Sequence, residues 1–262
     1  FVARLNNGGY IITWTNEGIN GSTPVLTALL YDSEHNPIAP EPGVNETSSD
    51  TQANSRVTVL NNGNFVITWE TMNQEGTSHN IMAMMFAENG TALDMDFQVD
   101  INDELDHTLP QVSKLADGGF VIVWQSKDQY LSSVGIYAQI FYENGTRHGE
   151  QFKVNSNTTL NPSYPVVTGL QNGSFVVVWS AEQEGSCLGI FGQIFDENGT
   201  AYWVKECETD ADCMDPFTPI CNGFNCRGCM NNSECPFHCN SITGECVECM
   251  SNLDCTNPEK AI

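Results

Sequence analysis

Positive charge is scarce in this chain: nine lysines and arginines stand against 33 aspartates and glutamates, for a formal charge of −24. A nucleic acid or an anionic membrane needs a basic patch to displace counterions, so neither is an expected partner. The four arginines, Arg4, Arg56, Arg147 and Arg227, are too few for the cluster that acidic sugars require. Long apolar runs are missing as well. Nothing approaches the ~18 consecutive apolar residues of a spanning helix, so no membrane insertion is expected. Cysteine is absent from the first 186 residues. There is no Gly-x-Ser-x-Gly elbow, Walker loop or dinucleotide fingerprint. An initiator Met and a signal peptide are also lacking. Phe1 already lies inside a repeat and Ile262 inside a cysteine pattern, so a processed or partial piece of a longer polypeptide is expected.

What the chain has is a ruler. Leu5, Leu60, Leu115 and Leu170 are 55 residues apart, and Trp14, Trp69, Trp124 and Trp179 keep the same step. A fixed period means one supersecondary unit copied four times. Each copy carries short β-branched and aromatic runs bounded by turn residues, which read as strands. The first run precedes the ruler Leu (Val57 to Leu60, Pro165 to Leu170), and the second ends at the Trp. The third spans Leu26 to Tyr31, Ile81 to Phe86, Ile136 to Phe141 and Ile190 to Phe195. The fourth is seen in Phe97 to Ile101 and Gln151 to Val154. Asn7-Gly8, Asn62-Gly63, Asp117-Gly118 and Asn172-Gly173 separate the first two runs, and Asn89-Gly90, Asn144-Gly145 and Asn198-Gly199 the last two. Such pairs predict type I′ hairpins. Polar loops of about ten residues are expected at the other connections.

The fold class expected is therefore all-β: four antiparallel four-stranded repeats, about 1–46, 56–102, 111–155 and 165–205, within a domain 1–206. Phe120, Ile122 and Trp124 alternate with Val121 and Val123, so both faces of that strand are apolar and both must be covered. A small residue recurs in the third strand (Ala28, Ala83, Ala138, Gly192), leaving room for the neighbouring repeat's Trp. Face-to-face stacking of meanders is the logic of a β-propeller. The last strand of repeat four, Tyr202 to Lys205, deviates, as terminal repeats do.

The phrases Asp117-Gly-Gly-Phe-Val-Ile-Val-Trp, Gly135-Ile-Tyr-Ala-Gln-Ile-Phe-Tyr-Glu-Asn-Gly-Thr and Phe152-Lys-Val-Asn resemble the tandem repeats of large secreted and cell-surface proteins of bacteria and protists. That resemblance implies propeller-like β domains without an assigned enzymatic activity. Relatives of that kind often carry an acidic, glycine-rich loop after the Trp that could hold Ca²⁺. Here Thr15-Asn-Glu-Gly, Glu70-Thr-Met-Asn-Gln-Glu-Gly, Gln125-Ser-Lys-Asp-Gln and Ser180-Ala-Glu-Gln-Glu-Gly lack the alternating acidic residues that Ca²⁺ coordination wants. A plain polar loop is expected there, with no metal and no other cofactor.

Residues 207–262 form a second region, cut short at its C-terminal end. Ten of the eleven cysteines lie here: Cys207, Cys213, Cys221, Cys226, Cys229, Cys235, Cys239, Cys246, Cys249 and Cys255. They recur in four-cysteine groups about every 20 residues and resemble small extracellular disulfide modules. Cys226-x2-Cys229 and Cys246-x2-Cys249 could also be zinc pairs, but disulfides suit so dense a pattern in so small a segment. Pairing cannot be read from spacing. Cys187 is left to tie tail to repeats, to pair with another chain, or to stay free.

Eight sequons, at Asn20, Asn45, Asn89, Asn144, Asn157, Asn172, Asn198 and Asn231, point to N-linked glycans and an extracellular location. His35, His79, His107, His148 and His238 show no ligand spacing and are each expected in a loop. Asp103-Glu104-Leu-Asp106-His107 gathers carboxylates beside a His but occurs once, and reads as polar linker. Repetition without a catalytic motif favours a non-enzymatic extracellular structural glycoprotein. It would be a segment of a surface fibre, appendage or adhesive matrix, assembling with copies of itself or other fibre proteins through β-edges. The alternative is a lectin-like or ligand-binding propeller whose second-to-third loops, with residues such as Glu70 and Gln125, form repeated sites. A hydrolase is the least favoured class, since propeller glycosidases want paired carboxylates.

Overall fold

The Trp-bearing runs form the second strand of each of four successive meanders, and these carry the packing of the whole repeat region. The computed structural model describes residues 1–16, 24–38, 44, 50–72, 78–101, 105–128, 134–155, 161–182, 188–202, 220–221, 226–227, 238–239 and 246–247. The chain divides into two compact parts, Phe1–Tyr202 and Trp203–Ile262.

In the first part, repeat one is β1 (Val2–Arg4), β2 (Tyr10–Asn16), β3 (Val25–Tyr31) and β4 (Pro37–Ile38). Repeat two is β5 (Thr51–Val59), β6 (Phe65–Met72), β7 (His79–Phe86) and β8 (Phe97–Gln98). Repeat three is β9 (Leu105–Lys114), β10 (Phe120–Asp128), β11 (Val134–Phe141) and β12 (Arg147–Lys153). Repeat four contributes β13 (Ser163–Gly169), β14 (Phe175–Glu182) and β15 (Leu188–Phe195). Strands pair antiparallel in chain order within each sheet. After β15 a single bridge joins Phe195 to Ala201; of the fourth strand expected there, residues 203–205 lie outside the described residues.

In the second part, β16 (Ile220–Cys221) pairs with β17 (Cys226–Arg227), and β18 (His238–Cys239) with β19 (Cys246–Val247). The registers set Cys221 opposite Cys226 and Cys239 opposite Cys246. The other cysteines, Cys187 included, lie outside the described residues.

The hairpins are not type I′. In the first, Gly8 N donates to Leu5 O at 3.2 Å and Leu5 N to Gly9 O at 2.8 Å. Only Gly8, at φ +92°, is left-handed. That is a type I turn closed by a left-handed glycine bulge, and it recurs at Leu60, Leu115 and Leu170. The Asn side chain decides the difference. Asn7 Oδ1 accepts the amide of Gly9 at 2.9 Å, and Asn62 and Asp117 do the same at 2.9 and 3.0 Å. This local bond keeps the Asn right-handed and leaves the positive angle to the glycine alone.

Stacking follows one rule. The Trp face of each repeat packs on the small-residue face of the one before: Phe65, Ile67 and Trp69 on Ile11, Ala28 and Leu30, Phe120, Ile122 and Trp124 on Val66, Ala83 and Met85, and Phe175, Val177 and Trp179 on Val121, Ala138 and Ile140. Trp69 and Trp124 are wholly buried, and removing such a side chain costs about 3–5 kcal/mol. A polar rung reinforces two seams. Asn6 Nδ2 donates to Leu60 O and Asn61 O, both at 3.3 Å, and Asn61 Nδ2 donates to Leu115 O and Ala116 O at 3.2 and 3.3 Å. At the third seam Ala116 has no amide to give. There the Gly169 amide donates to Ser113 Oγ at 3.0 Å.

The first strands are longer than the apolar pattern predicts. β5 and β9 run back through residues expected as polar loop, and they neighbour one another across repeats, as do β9 and β13. Histidine placement changes accordingly. His79, His107, His148 and His238 lie in strands rather than loops, and His35 sits in a turn at φ +68°.

Candidate functional site

An antiparallel meander sends its tight hairpins to one end and its second-to-third and inter-repeat loops to the other. At the loop-bearing end every described inner strand is deformed at one phase. Asn54, Leu109 and Tyr164, 55 residues apart, have φ of 51°, 56° and 55°. Each lies in a bulge where the register skips the partner strand's Trp: Trp69, Trp124 and Trp179. Asn tolerates this conformation; Leu and Tyr seldom adopt it. Roughly 1–3 kcal/mol of strain per site persists only where surroundings over-determine it.

Glu70 is one such determinant. It follows Trp69 and is only 6% exposed. Its Oε1 accepts Asn54 Nδ2 at 2.6 Å and its Oε2 accepts the Leu109 amide at 3.0 Å. One carboxylate thus ties the bulges of repeats two and three. The Arg56 guanidinium is half-buried beside it: burial pulls its pKa down, and the Glu70 charge acts the other way. Arg56 Nη1 donates to Ser55 O at 2.8 Å.

The same seam carries two His–Asp contacts. His79 Nδ1 lies 2.7 Å from Asp106 Oδ1, which also accepts the His79 amide at 3.0 Å. Both side chains are 30% exposed and so reachable from solvent. With Nδ1 donating to the carboxylate, Nε2 is left to take or give a proton. His107, in contrast, is sealed. Trp124 Nε1 lies 3.1 Å from its Nδ1. An indole N–H can only donate, so Nδ1 accepts and Nε2 carries the hydrogen toward Asp100 Oδ2, 3.5 Å away. Asp100 Oδ1 in turn accepts the Ile81 amide at 2.6 Å. Asn155, 55 residues on, does the same for Ile136 at 2.7 Å. The Asp100–His107 pair is therefore strand-capping architecture, while His79–Asp106 is chemically available.

The opposite, hairpin end has two open clefts. One of about 650 Å³ is lined by Leu93, Asp94, Met95, Asp96, Glu143 and Asn144 among others. A smaller one, about 470 Å³, involves Asn7, Ile38, Asn62, Glu88 and Asn89. Asp94 and Glu143 are exposed, and no histidine lines either cleft.

Of the residues singled out from sequence, Asp106 and His107 belong to β9 and are not linker. Asp103 and Glu104 lie outside the described residues. Glu70 is a buried tie and not a loop residue, and Gln125, at the same phase, accepts Ser163 Oγ at 2.6 Å. Asn89, Asn144, Asn172 and Asn198 are exposed on hairpin turns; Asn20, Asn45, Asn157 and Asn231 lie outside the described residues. Asn54, Arg56, His79 and Leu109 gave no sequence signal except phase: 54, 109 and 164 keep the ruler, with unlike side chains.

No protein-family model and no curated protein matches this chain. Solved structures do. An α-L-arabinofuranosidase from Fusarium graminearum, in complex with an iminosugar inhibitor, aligns at 10% identity and TM-score 0.55, covering 76% of this chain and 62% of that one. An α-L-arabinanase from Penicillium chrysogenum, complexed with arabinobiose, aligns at 14% and 0.54, covering 77% and 64%. A protein of unknown function from Dyadobacter fermentans aligns at 14% and 0.54, covering 74% and 51%. The chain thus spans between half and two thirds of the length of these structures. At such identities the likeness shows the fold: an all-β, propeller-type array of antiparallel four-stranded sheets. It also corrects the expectation of a non-enzymatic structural or adhesive glycoprotein, and with it the lectin-like alternative. Both rested on repetition being at odds with catalysis, and repeated meanders of this kind are the framework of carbohydrate-cleaving enzymes.

Proposed function

We propose that this chain is the propeller portion of a carbohydrate-processing enzyme, a glycoside hydrolase acting on neutral, arabinose-type polysaccharide. The observation that carries the reading is the seam of repeats two and three at the loop-bearing end, where Glu70, Arg56 and the His79–Asp106 pair converge on strained inner strands. Hydrolysis adds water across a glycosidic bond, with one group protonating the leaving oxygen and another taking a proton from water. The solvent-reachable His79–Asp106 pair can move that proton: Asp106 fixes the ring, and Nε2 exchanges it. Glu70 acts through position, holding Asn54 and Leu109 in place. The scarcity of arginine fits a neutral substrate, because acidic sugars need bidentate cations.

An extracellular polymer as substrate agrees with the eight sequons and the cysteine-dense tail. We infer accordingly that the chain acts outside the cell, with N-linked glycans on exposed turns such as those of Asn89, Asn144 and Asn198, and with disulfides in residues 207–262.

Release of reducing ends from linear arabinan, arabinoxylan and galactan by the purified protein tests the reading. Activity on at least one, falling 100-fold or more in Asp106→Asn and His79→Ala with the circular dichroism spectrum unchanged, is the expected result. Failure on every neutral polymer, or full activity in both variants, overturns it.

A further inference from the structure

The outer face of repeat four is a core face without a cover. Val121, Val123, Ile136 and Ile140 of repeat three are buried beneath the next repeat's Trp face. Their counterparts by register are Val176, Val178, Ile190 and Ile194, since Val178 pairs with Gly192 as Val123 pairs with Ala138. Yet Ile190 is 78% exposed, Ile194 44% and Val178 38%, and the ruler residue Leu170 is also exposed. In β-branched side chains of this density, exposure wastes the burial that stabilises the other seams, about 25 cal/mol per Å² of apolar surface. Contiguous apolar surface of this kind marks an interaction site.

The complementary face is unpartnered at the other end of the same array. Repeat one presents Tyr10, Ile12, Trp14 and Leu29, all half-buried, at the positions where repeat two buries Phe65, Ile67 and Trp69 on its neighbour. Tyr10 and Tyr31 stack at 4.9 Å between centroids, as Phe65 and Phe86 do at 5.1 Å. The Tyr pair replaces Phe only here, and a ring with a polar tip suits a surface that is wet before docking and buried after it. Repeat four therefore lacks a Trp face to receive, and repeat one lacks a small-residue face to sit on.

We propose that two copies of this chain dock head to tail, the Trp face of repeat one in one copy seating on the Val176–Ile194 face of repeat four in the other. The contact continues the geometry of the three internal seams. It is heterologous, because the two patches differ. Each copy carries a charge of −24, so association proceeds against net repulsion and strengthens with salt.

Light scattering coupled to size exclusion, on the full chain at tens of micromolar and in low and high salt, reads the outcome. The wild type is expected above monomer mass, more so in high salt. Ile190→Asp, Val178→Asp and Ile12→Asp each change a surface-exposed or half-exposed position, so they are expected to fold with unchanged circular dichroism and to run as monomers. Mixing Ile190→Asp with Ile12→Asp restores a two-copy species, because one intact pair of faces remains. A strictly monomeric wild type overturns the proposal, as does an assembly that survives all three substitutions or a mixture that stays monomeric.

Discussion

His35 occupies the turn position that Gly90, Gly145 and Gly199 fill in the later repeats. At φ +68° it is the residue whose backbone fits least well there. Its turn is held instead by Asp32, whose Oδ1 accepts the amides of Glu34 and Asn36 at 2.8 and 2.9 Å. Replacing His35 by Gly is expected to raise stability by about 0.5–1 kcal/mol, since the strain of a side chain at positive φ is removed. A denaturant melt checks this, and a loss would contradict it. The bonds from Asn36, backbone first and then side chain, hold the Asp32 carboxyl below the ordinary aspartate range. A depressed folded value means that its stabilising contribution is complete above the unfolded pKa of about 3.9 and is lost as pH falls through the folded one. NMR titration of the Asp32 carboxyl should give a midpoint below 3.9; one at or above it refutes the assignment.

Among the elements, the second strands were legible because both of their faces are apolar, and the third because a small residue recurs under each Trp. The inner strands were not legible. Their loop-end halves, such as Leu105 to Thr108, are polar or irregular because they border the candidate site rather than a packed face, so no alternation marks them. For the same reason His79 and His107 read as loop residues. The bulges were hidden too, since Asn54, Leu109 and Tyr164 share a backbone angle but no side-chain chemistry. The Asn6 and Asn61 rungs make a prediction at this scale. Ala116→Asn supplies the missing rung to the third seam and is expected to add about 0.5–1.5 kcal/mol, a rise of roughly 1–6 °C in melting temperature. Asn61→Ala should lower stability by a similar amount. Calorimetry on both variants decides it, and a null result in both would show that the rungs do not hold the seams.

For the molecule as a whole, the 55-residue ruler gave away repeat number and stacking, because identical cassettes bury identical residues. Truncating a wholly buried indole, Trp124→Ala, is expected to cost about 3–5 kcal/mol. Trp14→Ala, on the half-open face of repeat one, should cost clearly less in the monomer, and equal losses by thermal denaturation would mean that the two faces are not distinct. Function was the least legible property. Periodicity was weighed against catalysis, whereas the structure concentrates its exceptions, Glu70, Arg56, His79 and Asp106, at a single seam of the array. One asymmetric constellation on a symmetric scaffold leaves no motif in the sequence.

The most direct measurement is a crystal structure of the His79→Ala variant soaked with an arabino-oligosaccharide. Sugar rings at the loop-bearing end, in contact with Asp106 between repeats two and three, are the predicted result. Sugar bound only in the cleft of Asp94 and Glu143 at the hairpin end, or none at saturating concentration, would contradict the account.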